Sequence, residues 1–149
     1  MKRKLVFNVK DVEAFSPPDA DGAYESRMLI DSENAGADSY VINHFTLKKS
    51  DFSDPGGRHP APFDETYYVL RGTGRLSLGE PPEQFDLAPG TVVFIPGGTF
   101  HSINNLGPGE LEILTVMTGP LAAGANPLYD ARKQAWGTSF RLREGVKYE

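Results

Sequence analysis

Gly90-Thr91-Val92-Val93-Phe94-Ile95-Pro96-Gly97-Gly98-Thr99-Phe100-His101-Ser102-Ile103-Asn104-Asn105 is the stretch on which the fold turns. Residues 91–95 are β-branched and aromatic and are bounded by glycine and proline, the pattern of a strand buried on both faces. Pro96-Gly97-Gly98 stops that strand, and a second short strand follows, carrying His101 and Asn105. A rigid strand presents an imidazole in one direction, which is what a metal or acid–base site requires. What His101 does depends on what else converges on it.

Upstream, residues 65–70 and 75–78 flank Arg71-Gly72-Thr73-Gly74 and predict a hairpin. Residues 84–87 predict a short strand before Ala88-Pro89-Gly90. Residues 24–31 and 40–48 predict two earlier strands, the second bearing His44, and residues 5–9 alternate as a first strand. A loop rich in Asp, Pro and Gly, residues 50–62, delivers His59. Downstream, residues 110–117 alternate well as a late strand, and residues 128–136 predict a short C-terminal helix, either a lid or packed on the outside of the sheet. Many short strands with frequent turns predict an all-β sandwich or small barrel. In Glu65-Thr66-Tyr67-Tyr68-Val69-Leu70 both pleat faces are largely apolar, so a second sheet or subunit is expected over one of them, and we expect a homodimer.

The length of 149 residues suits one domain with a real core. A formal charge of −5, with Lys2-Arg3-Lys4 as the basic cluster, leaves no electrostatic footprint for nucleic acid or an anionic membrane. The absence of cysteine excludes disulfides, thiolate ligands and cysteine nucleophiles. Leu5-Val6-Phe7 is too short for a signal-peptide core and no segment is long enough to span a bilayer, so the expected setting is cytoplasmic.

Taken together, these residues resemble the cupin superfamily. That family's second motif is Gly, five residues, Pro, one residue, Gly, two residues, His, three residues, Asn, and Gly90, Pro96, Gly98, His101 and Asn105 match every position. Its first motif is Gly, five residues, His-x-His, three or four residues, Glu, six residues, Gly, and His59, Glu65 and Gly72 fall at the right spacings. The resemblance covers roughly residues 40–117 and implies an all-β double-stranded β-helix, the jelly-roll cupin barrel. Residues 1–149 then form a single domain, with N-terminal strands in residues 5–31 and an extension over residues 119–149. Ser53 stands for the first glycine, with Gly56 and Gly57 close by, and Ala61 stands where the family has its second histidine.

The resemblance implies a metal site of His59, Glu65 and His101, and three readings remain open. Two histidines and one carboxylate hold a divalent iron, manganese, nickel or zinc ion with open positions, the facial pattern of non-haem iron enzymes. Alternatively His44 or Asp64 supplies the missing ligand, although the pleat turns His44 outward if Phe45 and Leu47 face the core. In the third reading the three residues form a metal-free proton-transfer or binding constellation. Tyr67 shares the face of Glu65 and is a second catalytic candidate. Arg27 is a candidate carboxylate clamp, and Phe94 and Ile103 are candidate substrate-binding residues. The expected function is a small-molecule enzyme, an oxygenase, isomerase or lyase acting on a small polar compound. The alternatives are a non-catalytic ligand sensor and a metal-independent sugar or sugar-acid epimerase.

Overall fold

The structure, a computed structural model, describes residues 5–12, 14–16, 22–31, 35–37, 39–50, 54, 56–118 and 141–142. Its strands are β1 (Phe15–Ser16), β2 (Tyr24–Ile30), β3 (Tyr40–Leu47), β4 (Glu65–Arg71), β5 (Gly74–Leu78), β6 (Glu83–Leu87), β7 (Val92–Ile95), β8 (His101–Asn105), β9 (Leu111–Thr118) and β10 (Arg141–Leu142). Among the described residues they form two antiparallel sheets, ordered β10-β1-β2-β3-β9-β4-β7 and β6-β5-β8. The all-β jelly-roll class expected from the sequence is what the structure shows.

One face of each sheet closes the core. Phe45, Leu47, Val69, Leu111 and Ile113 of the large sheet pack with Leu76, Leu87 and Ile103 of the small one. The hairpin expected between residues 65–70 and 75–78 does not form: β4 pairs with β7 and β9 while β5 pairs with β6 and β8, so the Gly72 turn carries the chain from one sheet to the other, and that crossing needs its glycine. Gly72 has φ +85, and a Cβ there collides with the Glu110 carbonyl oxygen. Asn105 is a structural staple: its Nδ2 donates to the carbonyls of Leu47 and Gly109 at 2.9 Å, and its Oδ1 accepts from Gly107 N at 2.8 Å. It therefore ties β8 to β3 and to the turn before β9, and serves packing rather than chemistry.

Three further sequence expectations change. Residues 5–8 form no strand. Asn8 caps a single 3-10 turn, Val9–Asp11, by accepting from Lys10 N at 3.1 Å while Asp11 accepts from Asn8 N. Local side-chain caps of this kind compete with strand pairing. The strand predicted over residues 91–95 is buried on one face only: Val92 and Phe94 are 64% and 59% exposed, whereas Ile95 is in the core. The extension over residues 119–149, for which no strand was expected, contributes β10, which pairs with β1 through Phe15↔Leu142 and Ser16↔Arg141. The helix expected over residues 128–136 lies outside the described residues.

Candidate metal centre

Glu65 opens β4 opposite Ile95 of β7 and Met117 of β9, so the pleat points its carboxylate into the barrel. His101 opens β8 and approaches from the facing sheet. Its backbone pairs with Gly57 through N–H···O bonds of 2.9 and 3.0 Å in the two directions. That close approach is why position 56 is glycine: it has φ +79, and a Cβ would lie 2.7 Å from the His101 carbonyl. His59 follows on the same loop, and its carbonyl accepts from Gly98 N at 2.6 Å. Asp64 accepts from Gly97 N at 2.9 Å. The loop bearing the first motif is thus bonded to the Pro96-Gly97-Gly98 turn of the second.

These contacts bring three donor atoms together. His59 Nε2 lies 2.8 Å and His101 Nε2 3.5 Å from the same Glu65 Oε2. The imidazole rings are 5.2 Å apart between centroids, and all three residues are buried. Metal–ligand bonds of about 2.1 Å place adjacent donors of one ion about 3 Å apart, so the spacing fits a single small divalent cation. His101 Nδ1 faces the Thr99 carbonyl at 3.1 Å and donates to it, which turns the Nε2 lone pair toward the cluster. His59 Nδ1 is buried with no hydrogen-bond partner. The cluster of His59, Glu65 and His101 is one that could hold a metal ion.

The same proximity sets the charges. Burial opposes ionisation of Glu65, but the hydrogen bonds from His101 and His59 outweigh it and hold the carboxyl at about 2. His101 is pushed above its ordinary value. Burial works against that shift, while the hydrogen bond and charge of Glu65 drive it, helped by the Thr99 carbonyl and the charge of Asp54.

The other candidates divide by pleat. Tyr67 is on the inner face, its ring edge-on to His101 at 6.1 Å and to Phe45 at 5.6 Å. Ile103 is buried in the core opposite Leu76. His44 points outward and bonds Glu112 Oε1 at 2.7 Å, and Asp64 is occupied by the turn, so neither joins the cluster. Arg27 also points outward, against Glu25 at 3.2 Å and the Val12 carbonyl at 3.1 Å, and Phe94 is exposed on the same outer face. Both therefore lie on the face opposite the cluster, because each is one pleat out of phase with Tyr24, Phe45 and Tyr67. Ala61 is exposed and brings no donor. Thr99 and Asp54 were not legible beforehand, since one acts through its carbonyl and the other through a loop pairing, Asp54 N to Ile103 O at 3.0 Å.

Residues 43–117 match the family model described as Cupin domain. An uncharacterized protein of Methanocaldococcus jannaschii is 39% identical over 51 residues, 34% of this chain, and the chain covers 39% of that relative's length. Among solved structures, the polyketide cyclase RemF from Streptomyces resistomycificus is similar with a TM-score of 0.64 and 28% identity over 79% of each chain. A predicted oxalate decarboxylase from Thermotoga maritima is similar in fold with a TM-score of 0.64 and 23% identity, covering 76% of this chain and 98% of the other.

Proposed function

The chain belongs to the cupin family, and from that premise we propose that it is a metal-dependent enzyme acting on a small organic molecule at His59, Glu65 and His101. The observation supporting this reading is the convergence of two imidazole Nε2 atoms on one buried carboxylate oxygen, with His101 oriented by the Thr99 carbonyl. Similarity to a polyketide cyclase adds support for small-molecule chemistry. Bound iron, manganese, nickel or zinc would supply Lewis acidity toward a substrate oxygen, a property that oxygenase, isomerase and lyase reactions all use.

The protein's own groups have separable tasks. His59, Glu65 and His101 would hold the ion, and Tyr67 lies edge-on beside His101. A carboxyl held at about 2 is a weak base near neutral pH, so Glu65 serves as a ligand rather than as the proton acceptor. The cytoplasmic setting expected from the sequence belongs to the same proposal. Among the described residues, no helix is long and apolar enough to cross a membrane.

Elemental analysis of untagged protein from metal-replete medium tests the proposal, with about one equivalent of a transition metal expected. His44→Ala should keep that metal. Less than roughly a tenth of an equivalent, with none recovered after adding iron, manganese, nickel or zinc, would leave a ligand sensor or a metal-independent epimerase instead.

A further inference from the structure

The two histidines of the cluster come from different parts of the chain, His59 from a loop and His101 from the first position of β8. One ion needs both imidazoles aimed at one point, so loop and strand must be held in a common register. The Pro96-Gly97-Gly98 turn is the element they share. On one side, Gly98 N donates to the His59 carbonyl at 2.6 Å. On the other, Thr99 N donates back to the Pro96 carbonyl at 3.1 Å, and the Thr99 carbonyl accepts from His101 Nδ1 at 3.1 Å. A displacement of this turn therefore moves the supports of both rings at once.

Asp64 fixes that turn. Its carbonyl accepts from Thr118 N, at the end of β9, at 2.9 Å, which anchors the residue to the large sheet. Its Oδ1 accepts from Gly97 N at 2.9 Å. A bond from a backbone N–H to a carboxylate is roughly twice as strong as a bond between neutral groups. Loop and turn also meet backbone to backbone. A Cβ on Gly97 would lie 3.0 Å from Ala61 Cα and 3.1 Å from both Phe63 N and Phe63 O. The Asp64 carboxylate faces the turn and stands outside the ligand set, although it adjoins Glu65 in sequence.

We propose that Asp64 is a positioning residue of the metal centre: through Gly97 it holds the turn that aligns His59 and His101. The inference rests on the metal-site reading above and gives Asp64 no contact with ion or substrate. Its effect passes through geometry, so an uncharged acceptor at the same position should serve nearly as well as the carboxylate.

The test measures zinc affinity by competition with a chromogenic chelator, in the parent and in single variants. Asp64→Ala removes the acceptor and should weaken zinc binding at least about tenfold, the usual cost of losing a partner that supports a ligand. Asp64→Asn keeps an Oδ1 acceptor without the charge and should stay within about threefold of the parent. Gly97→Ala keeps Asp64 but pushes the turn off the loop, and should weaken zinc at least about fivefold. Leu87→Ala, a core truncation in the other sheet, lowers stability and should leave zinc affinity unchanged. In the zinc-loaded parent the His101 Nδ1 proton should give a slowly exchanging downfield resonance, lost in Asp64→Ala and restored in Asp64→Asn. Parent-like affinity in Asp64→Ala overturns the inference; if that variant does not fold, parent-like affinity in Gly97→Ala does so. Equal weakening by Asp64→Asn and Asp64→Ala overturns it too, because charge rather than geometry would then be at work. Equal weakening by Leu87→Ala overturns it as well, since any loss of stability would then loosen the site. A parent that takes up no zinc sinks the metal reading and this inference with it.

Discussion

The large sheet has two faces, and each carries a few residues of the kind usually found on the other. The inner face of β3, β9 and β4 buries Asn43, Thr115 and Glu65, each at most 2% exposed. The outer face of β4 and β7 leaves Tyr68, Leu70, Val92 and Phe94 between 42% and 64% exposed. Scattered exposed apolar residues are ordinary, but these four are adjacent through the Tyr68↔Val92 and Thr66↔Phe94 pairs. A single strand such as β4 supplies both faces by alternation, so one residue of register slip would exchange them. Polar groups kept inside despite their desolvation cost point to chemistry, and an apolar patch kept outside points to a partner surface.

The largest expected effect comes from making the inner face apolar. Glu65→Leu should lower metal affinity at least about a hundredfold, because it removes the one carboxylate donor. The metal-free variant should be destabilised by about 3–5 kcal/mol, since removing one partner of a buried pair leaves His59 and His101 uncompensated. A variant that keeps its metal would show that the two faces differ less than their geometry suggests.

The next effect lies outside. We propose that a second copy covers the outer patch, which predicts a light-scattering mass twice the 16.3 kDa of the chain. The double substitution Val92→Lys and Phe94→Asp should halve that mass while metal content stays unchanged. A parent protein already monomeric at micromolar concentration removes the dimer.

The smallest effect is the pH response of the metal-free inner face. Glu65 has a depressed folded value, so its contribution is complete above the unfolded value of about 4.3 and is lost as pH falls toward about 2. His101 has a raised folded value, so its contribution is complete below about 6.5 and is lost as pH rises through that raised value. Thermal melts of chelator-treated protein should therefore owe most to this pair between roughly pH 4.5 and 6.5. Glu65→Leu should flatten that part of the profile, and an unchanged profile would show that the pair adds no stability.

Much of the fold was legible because period-two patterning and glycine–proline punctuation mark β2 to β9 within a residue or two. The cluster was legible through the resemblance to the cupin motifs, whose spacings His59, Glu65 and His101 match. Tertiary facts were less accessible. Whether 91–95 is covered on its second face depends on what packs there, not on composition. Arg27 and Phe94 were misplaced for want of the register that fixes which side of the pleat they occupy. Thr115 drew no notice because a threonine in a strand is ordinary until its hydroxyl proves buried and unpartnered.

The pairing of Phe15 with Leu142 has a kinetic consequence. It joins the most widely separated paired residues in the described sheets, and ring closure over so long a segment costs more entropy than any hairpin. The β5–β6 pair closes a short loop, so it is the part able to form early. The β1–β10 edge should then assemble late and open first. The site-bearing strands β4 and β9 sit at the other side of the sheet order, where local opening of that edge leaves the ligand set undisturbed.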